Sequence, residues 1–163
     1  MNDNKTGHIL LVCLICLILD QGTKWWASDS LVAWQMTSYL GDIVRIGYTE
    51  NLGVFLSLGA ELSPIQRLVL FVGVIGFLLL ALLGYMIKSH DLSKLQLTSL
   101  TLIFAGGLGN LLDRIFNQGA VIDFINLGIG TVRTGVFNVA DIVILLGAIM
   151  IIACTPFQSA QHK

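Results

Sequence analysis

The chain has 163 residues, 55% hydrophobic and only 12% charged, with a mean hydropathy of +0.83. Soluble domains carry about 25% charged residues, so the composition excludes an ordinary water-soluble domain and points to one embedded in lipid. A formal net charge of −1 offers nothing to a nucleic-acid partner, and no repeat, linker or low-complexity tract divides the chain, so a single domain over 1–163 is expected.

The first apolar run, ILLVCLICLIL at 9–19, predicts a membrane helix near 8–26, since a span needs about 20 mostly apolar residues. Lys5 precedes it as in a signal peptide, but Asp20 follows where a small-residue cleavage site would stand, so the helix is read as retained. Cys13 and Cys16 lie in this run and Cys154 in a later one. An odd number with none in a loop argues against a disulfide framework, and the three read as small apolar fillers. Asp20 and Lys24, spaced i, i+4, close the span.

A long connection follows. Within it DIVRIGYTEN, 42–51, alternates Val44, Ile46 and Tyr48 against Arg45, Gly47 and Thr49, the period of a strand. Trp25, Trp26 and Trp34 suit an interfacial aromatic belt. The second span, 65–87, opens on Ser63-Pro64-Ile65-Gln66, with a Ser cap, Pro at the first helical position and Gln three residues after the Ser. The third, 95–113, holds Ala105, Gly106, Gly107 and Gly109, a flat face for a neighbouring helix, and ends on Asn110, Asp113 and Arg114. The fourth, 138–157, begins with Asn138 and Asp141. The expected fold is an all-α membrane protein of four transmembrane helices, with a small extracytoplasmic β element from the first long loop.

Four spans return the chain to its starting side. Lys5, Lys88, Lys94 and Lys163 then share one side with Asp3 and Asp91, and the other side carries five basic and eight acidic residues. The bare count of Lys and Arg hardly discriminates, but the short connection KSHDLSK, 88–94, reads as cytoplasmic, which places both termini there. Parity also puts the ends of spans one and three and the start of span four on one face. Asp20, Asp113, Asp141 and, in the short connection, Asp123 therefore converge.

Taken singly, each polar residue has a structural reading. Asp20 and Lys24 form a helix-end ion pair, Asn138 caps span four and Asp141 favours its positive end, and Asp113 with Arg114 decorates a surface. Jointly they exceed what caps require. Metal-assisted hydrolysis normally recruits His, and His8, His90 and His162 fall on the opposite side. A Ser57–Lys24 nucleophile is disfavoured because Asp20 keeps Lys24 charged. Two carboxylates sharing a proton remain. At about 4 Å and an effective dielectric near 20, like charges repel by roughly 4 kcal/mol, so one stays protonated near neutral pH while the other activates water.

These residues fall into motifs. Asp20-Gln21-Gly22-Thr23-Lys24 resembles D-x-x-T-K. Asn51-Leu52-Gly53, followed by Phe55 and Ser57, resembles an N-x-G motif. Gly106-Gly107 through Asn110, Asp113 and Arg114 resembles G-G-x-x-G-N-x-x-D-R, Val121-Ile122-Asp123-Phe124 resembles V-V-D-F, and Phe137-Asn138-Val139-Ala140-Asp141 resembles F-N-x-A-D. In this order the chain resembles the lipoprotein signal peptidases (signal peptidase II), membrane aspartyl peptidases of bacteria. The resemblance implies that Asp123 and Asp141 are the catalytic pair. It gives supporting or substrate-binding places to Asp20, Lys24, Asn51, Gly53, Gly107, Asn110, Asp113, Arg114, Asn138 and Ala140. It also implies an inner-membrane enzyme with a periplasmic-side site, no cofactor or metal, diacylglyceryl-modified prolipoproteins as substrates, membrane lipids as partners, and inhibition by globomycin-type cyclic peptides. Two departures stand out. DRIFNQGAVID, 113–123, is one residue longer than usual, which could shift Asp123, and NLGVFLSLG has Val54 where the family commonly has Ala.

Two other readings compete: a small ion-coupled transporter and an inactive lipoprotein-binding relative. A transporter would place its ionisable groups near mid-bilayer between inverted repeats, and no such repeat is visible here.

Overall fold

The computed structural model describes residues 3–53 and 61–158. Phe55 and Ser57 of the N-x-G stretch, and His162 and Lys163, lie outside the described residues. The elements run α1 (Asp3–Ser30), β1 (Thr37–Tyr39), β2 (Val44–Asn51), α2 (Pro64–Arg67), a π-helical stretch (Leu68–Val74), α3 (Ile75–Lys88), α4 (Lys94–Phe116), β3 (Val121–Ile129), β4 (Val132–Arg133) and α5 (Val139–Gln158). Among the described residues, Asn4–Ser30, Ile65–Lys88 and Lys94–Phe116 are long and apolar enough to cross a membrane, and α5 adds a shorter apolar helix, Val139–Cys154.

Helix starts follow local chemistry. Ser63 Oγ accepts from the Gln66 amide at 3.3 Å while Gln66 Oε1 accepts from the Ser63 amide at 2.9 Å, the reciprocal cap expected from the sequence. Ser93 and Gln96 repeat it at α4, at 3.2 and 3.0 Å.

The burial pattern is that of a protein dissolved in hydrocarbon. Leu10, Leu14 and Ile18 on α1, Phe77 and Leu80 on α3, and Ile149 and Ile152 on α5 face outward, at least half exposed, while Asp20, Lys24, Asn110, Asp113, Arg114 and Asn138 are buried. Lipid tails accept apolar faces freely, so polar groups turn inward to find partners. Helix α4 is the hub, packed on α1, α3 and α5. A Cβ on Gly106 would stand 2.5 Å from the Ala140 carbonyl oxygen, and one on Gly109 2.5 Å from Asp20 Oδ2. The predicted flat face is thus a backbone-contact seam. At the other end of the bundle Cys13 and Cys16 fill an apolar cluster with Ile9, Met86, Leu97 and Ala105.

The sheet has strand order β1-β2-β3-β4, antiparallel throughout. The strand expected at 42–51 is β2. The sheet does not come from the first long loop alone, however, because β3 and β4 belong to the connection between α4 and α5. Residues 121–126 are buried or half-buried on both faces, so VIDFIN shows no two-residue alternation to mark a strand. A register shift between Ile46 and Thr49 sets Thr49 opposite Asp123 and Asn51 opposite Val121.

Gly106→Ala is expected to lower stability by about 1–3 kcal/mol, the usual cost of forcing bulk into a packed contact. Gly84→Ala, where a Cβ meets nothing within 4 Å, should be neutral or stabilising by up to about 1 kcal/mol. Thermal unfolding of the two variants in detergent separates the cases, and equal behaviour would mean that α4 and α5 do not touch backbone to backbone.

Candidate active site

The site is built around one ammonium group. Lys24 is 1% exposed, and its Nζ lies 2.9 Å from each of Asp20 Oδ2, Asn110 Oδ1 and Asp113 Oδ2. Its three protons therefore face three oxygens on α1 and α4. The i, i+4 pair anticipated from the sequence is real, but its second carboxylate, Asp113, comes from another helix. Gln21 completes the cluster, donating from Nε2 to Asp113 Oδ1 at 2.9 Å, to Asp20 Oδ2 at 3.1 Å and to the Gly109 carbonyl at 3.2 Å. Sequence reasoning passed over Gln21, and its place beside Asp20 was the signal that could have found it.

The cluster then positions the remaining carboxylates. Asp20 Oδ1 accepts from the Ala140 amide at 2.9 Å, so α1 holds the first turn of α5. Asp113 Oδ2 accepts from the Ile122 amide at 3.0 Å, fixing the backbone beside Asp123. Helix α4 ends with the Gly119 amide donating to the Arg114 carbonyl at 2.9 Å and Gln118 in the left-handed region at φ 54°, a Schellman-type closure. This tight turn carries the DRIFNQGAVID stretch from α4 into β3, where Asp123 pairs with Thr49 of β2.

At the head of α5 the Asn–x–x–Asp spacing makes a reciprocal cap. Asn138 Oδ1 accepts from the Asp141 amide at 3.1 Å, and Asp141 Oδ2 accepts from the Asn138 amide at 3.2 Å. The structural reading of Asn138 and Asp141 as cap residues therefore holds. The same side chains also reach the site. Asn138 Nδ2 donates to Asp123 Oδ1 at 2.7 Å and to Asn110 Oδ1 at 3.1 Å, and Asn110 Nδ2 donates to Asp141 Oδ1 at 2.9 Å. Asn51 Nδ2 donates to Asp123 Oδ2 at 3.0 Å. Arg114, stacked over Phe71 with its guanidinium carbon 5.7 Å from the ring centre, donates to the Gly53 and Asn110 carbonyls at 3.1 Å, and Gly53 in turn donates its amide to Asn51 Oδ1 at 3.1 Å.

The four carboxylates thus split into two kinds. Asp20 and Asp113 share the Lys24 charge. Among the described residues no ion pair reaches Asp123 or Asp141, which are held by amides alone. Burial, and then the neighbouring Asp141 charge, push the Asp123 carboxyl up to about 7. Both carboxylates line a cavity of about 620 Å³ that also meets Gly107, Arg114, Ile75 and Ile144, so it is polar at these two carboxylates and apolar between the helices. Such a site offers one carboxyl able to keep its proton near neutral pH beside one poised to accept a proton.

A family model for Signal peptidase (SPase) II matches residues 12–157. Lipoprotein signal peptidases of Treponema denticola and Clostridium acetobutylicum are 34% and 36% identical, over 86% and 87% of this chain and 84% and 89% of theirs. A bacterial membrane enzyme solved by the in meso method at 2.3 Å superposes with a TM-score of 0.82 at 27% identity, covering 96% of this chain and 92% of that one. Its fold, its ordered motifs and these likenesses agree: the chain belongs to the signal peptidase II family of aspartic peptidases.

Proposed function

We propose that Asp123 and Asp141 are the catalytic pair of this peptidase, which removes signal peptides from prolipoproteins. One observation carries the assignment. Asn138 bridges the two carboxylates that have no ion pair among the described residues, donating to Asp123 through its side chain and to Asp141 through its backbone. Asp141 takes a proton from water, and the resulting oxygen attacks the scissile carbonyl carbon. Asp123, protonated near pH 7, gives its proton to the carbonyl oxygen. Collapse of the tetrahedral diol breaks the C–N bond. Asp141 returns its proton to the departing amine, and Asp123 recovers one from the diol oxygen.

The remaining residues support this pair. Asp20, Lys24, Asn110 and Asp113 form its platform, Asn51, Asn138 and Ala140 orient it, and Gly53, Gly107 and Arg114 shape the cavity where substrate lies. The apolar half of the cavity suits the acyl chains of a diacylglyceryl-cysteine, with the cut just before that residue. It is also where globomycin-type cyclic peptides would compete. In this reading four helices span the bacterial inner membrane. Both termini are cytoplasmic, and the dyad and sheet lie at the outer boundary, where the lipid-modified cysteine stands.

Asp123→Asn and Asp141→Asn should each abolish cleavage of a lipidated precursor in detergent while the protein stays folded. The double variant should be little worse than either single one, because the two act as a unit. Wild-type activity should be bell-shaped in pH, with its alkaline limb near 7. Above that pH the raised carboxyl of Asp123 loses the proton the carbonyl oxygen needs. Substantial activity in either single variant, or full activity at pH 9, would remove the assignment.

Lys24→Ala should act on the fold. It leaves Asp20 and Asp113 buried without their cation, and breaking such an arrangement costs about 3–5 kcal/mol. A variant with wild-type thermal stability and no turnover would instead make Lys24 a participant in the chemistry.

For topology, cysteine placed at position 91 should be shielded from a membrane-impermeant thiol reagent in intact cells, and cysteine at 118 should be labelled. The reverse pattern would put the dyad on the cytoplasmic side.

A further inference from the structure

A second cavity of about 620 Å³ lies at the opposite end of the bundle. On α4, Lys94 at its rim and Asn110 beside the dyad are 16 residues apart, about 24 Å at 1.5 Å per residue. Its mouth is lined by Lys5 and His8 of α1, by His90 of the connection between α3 and α4 and by Lys94 at the start of α4, with Leu11 and Leu97 beneath. Among the described residues no carboxylate lines it, and Asp91, the connection's own acid, is exposed and outside the lining. Lys5 Nζ donates to the Ser89 carbonyl at 2.5 Å, which occupies one of its three protons. His8 Nε2 lies 2.9 Å from Thr98 Oγ1.

The two lysines stand where the apolar helices end, since Lys88 closes one candidate span and Lys94 opens the next. That is the depth of lipid headgroups. Positive groups at the rim with leucines below match an amphiphile with an anionic head. Basic pockets between helix ends recur as sites for such heads. We propose that this cavity binds the phosphodiester headgroup of an anionic membrane phospholipid, with its glycerol and upper acyl carbons over Leu11 and Leu97. Bound there, the lipid joins the start of α1 to the connection between α3 and α4. A zwitterionic lipid presents a cation of its own to this rim. Free phosphate leaves the leucines wet.

The test uses the full chain in detergent with phosphatidylglycerol as the probe, and phosphatidylcholine of the same acyl chains and inorganic phosphate as controls. Binding is read by native mass spectrometry and thermal unfolding. Phosphatidylglycerol should bind and raise Tm, and neither control should reproduce the shift. Lys94→Gln and Lys5→Gln should each weaken binding about fivefold, as expected for one basic residue facing an anionic lipid, and together about twenty-five-fold. Lys94 is exposed and has no role at the dyad, so Lys94→Gln without added lipid should keep wild-type Tm and peptidase activity. If Lys5→Gln fails to fold, the Lys94→Gln titration alone decides. Unchanged phosphatidylglycerol affinity in Lys94→Gln, equal binding of phosphatidylcholine, or the same Tm rise from inorganic phosphate would each overturn the proposal.

Discussion

A lysine ammonium buried in lipid-facing protein must be surrounded by oxygen, and Lys24 meets that demand by drawing two helices together. An isolated charge in a low-dielectric interior costs many kcal/mol. Lys24 avoids that cost only while Asp20, Asn110 and Asp113 stand around it. The oxygen left over on Asp20 then receives the amide of Ala140, and Asp113 Oδ2, which already faces Lys24, also receives the amide of Ile122. One cation thereby determines where α5 begins and where β3 lies, and so where Asp141 and Asp123 stand.

The same arrangement separates two kinds of carboxylate. Asp20 and Asp113 are neutralised and serve as ties. Asp123 and Asp141 receive amide donors, which hold a carboxylate in place without pinning it in the ionised state as a salt bridge would. Asp123 is 2% exposed, and its carboxyl is pushed up to about 7 by burial and by its partner. Lys24 is satisfied away from this pair, by Asp20, Asn110 and Asp113.

The capping geometry of α5 shows how one spacing serves two ends. A residue at N-cap and another three positions on can satisfy each other's amides in any helix. Here Asn138 retains its Nδ2 protons for Asp123 and Asn110, and Asp141 retains Oδ1 for Asn110. The sheet is antiparallel and irregular between Ile46 and Thr49, and it supplies the other half. It delivers Asn51 and Asp123 from two distant connections to the same edge of the bundle.

Much of this was legible in the sequence. Apolar run lengths marked the helices because hydrocarbon thickness leaves little freedom in them. Parity brought the polar ends to one side, the Ser–Pro–x–Gln signal marked a helix start, and the strand at 42–51 announced itself by alternation. What the sequence could not show was pairing. Four aspartates converge on one end, and nothing local says which two share Lys24 and which two face the cavity, because that depends on helix rotation and on contacts between residues as far apart as Asp20 and Ala140. Strand β3 was hidden for a related reason: buried on both faces, VIDFIN carries no period, and only its neighbours in space, β2 and the head of α5, make it a strand. The sequence by itself determined the apolar helices and the inventory of polar groups, since both follow from local chemistry and length. Only the tertiary structure decided which carboxylates surround Lys24 and which line the cavity, because the charge balance of a buried group is set by what packs around it.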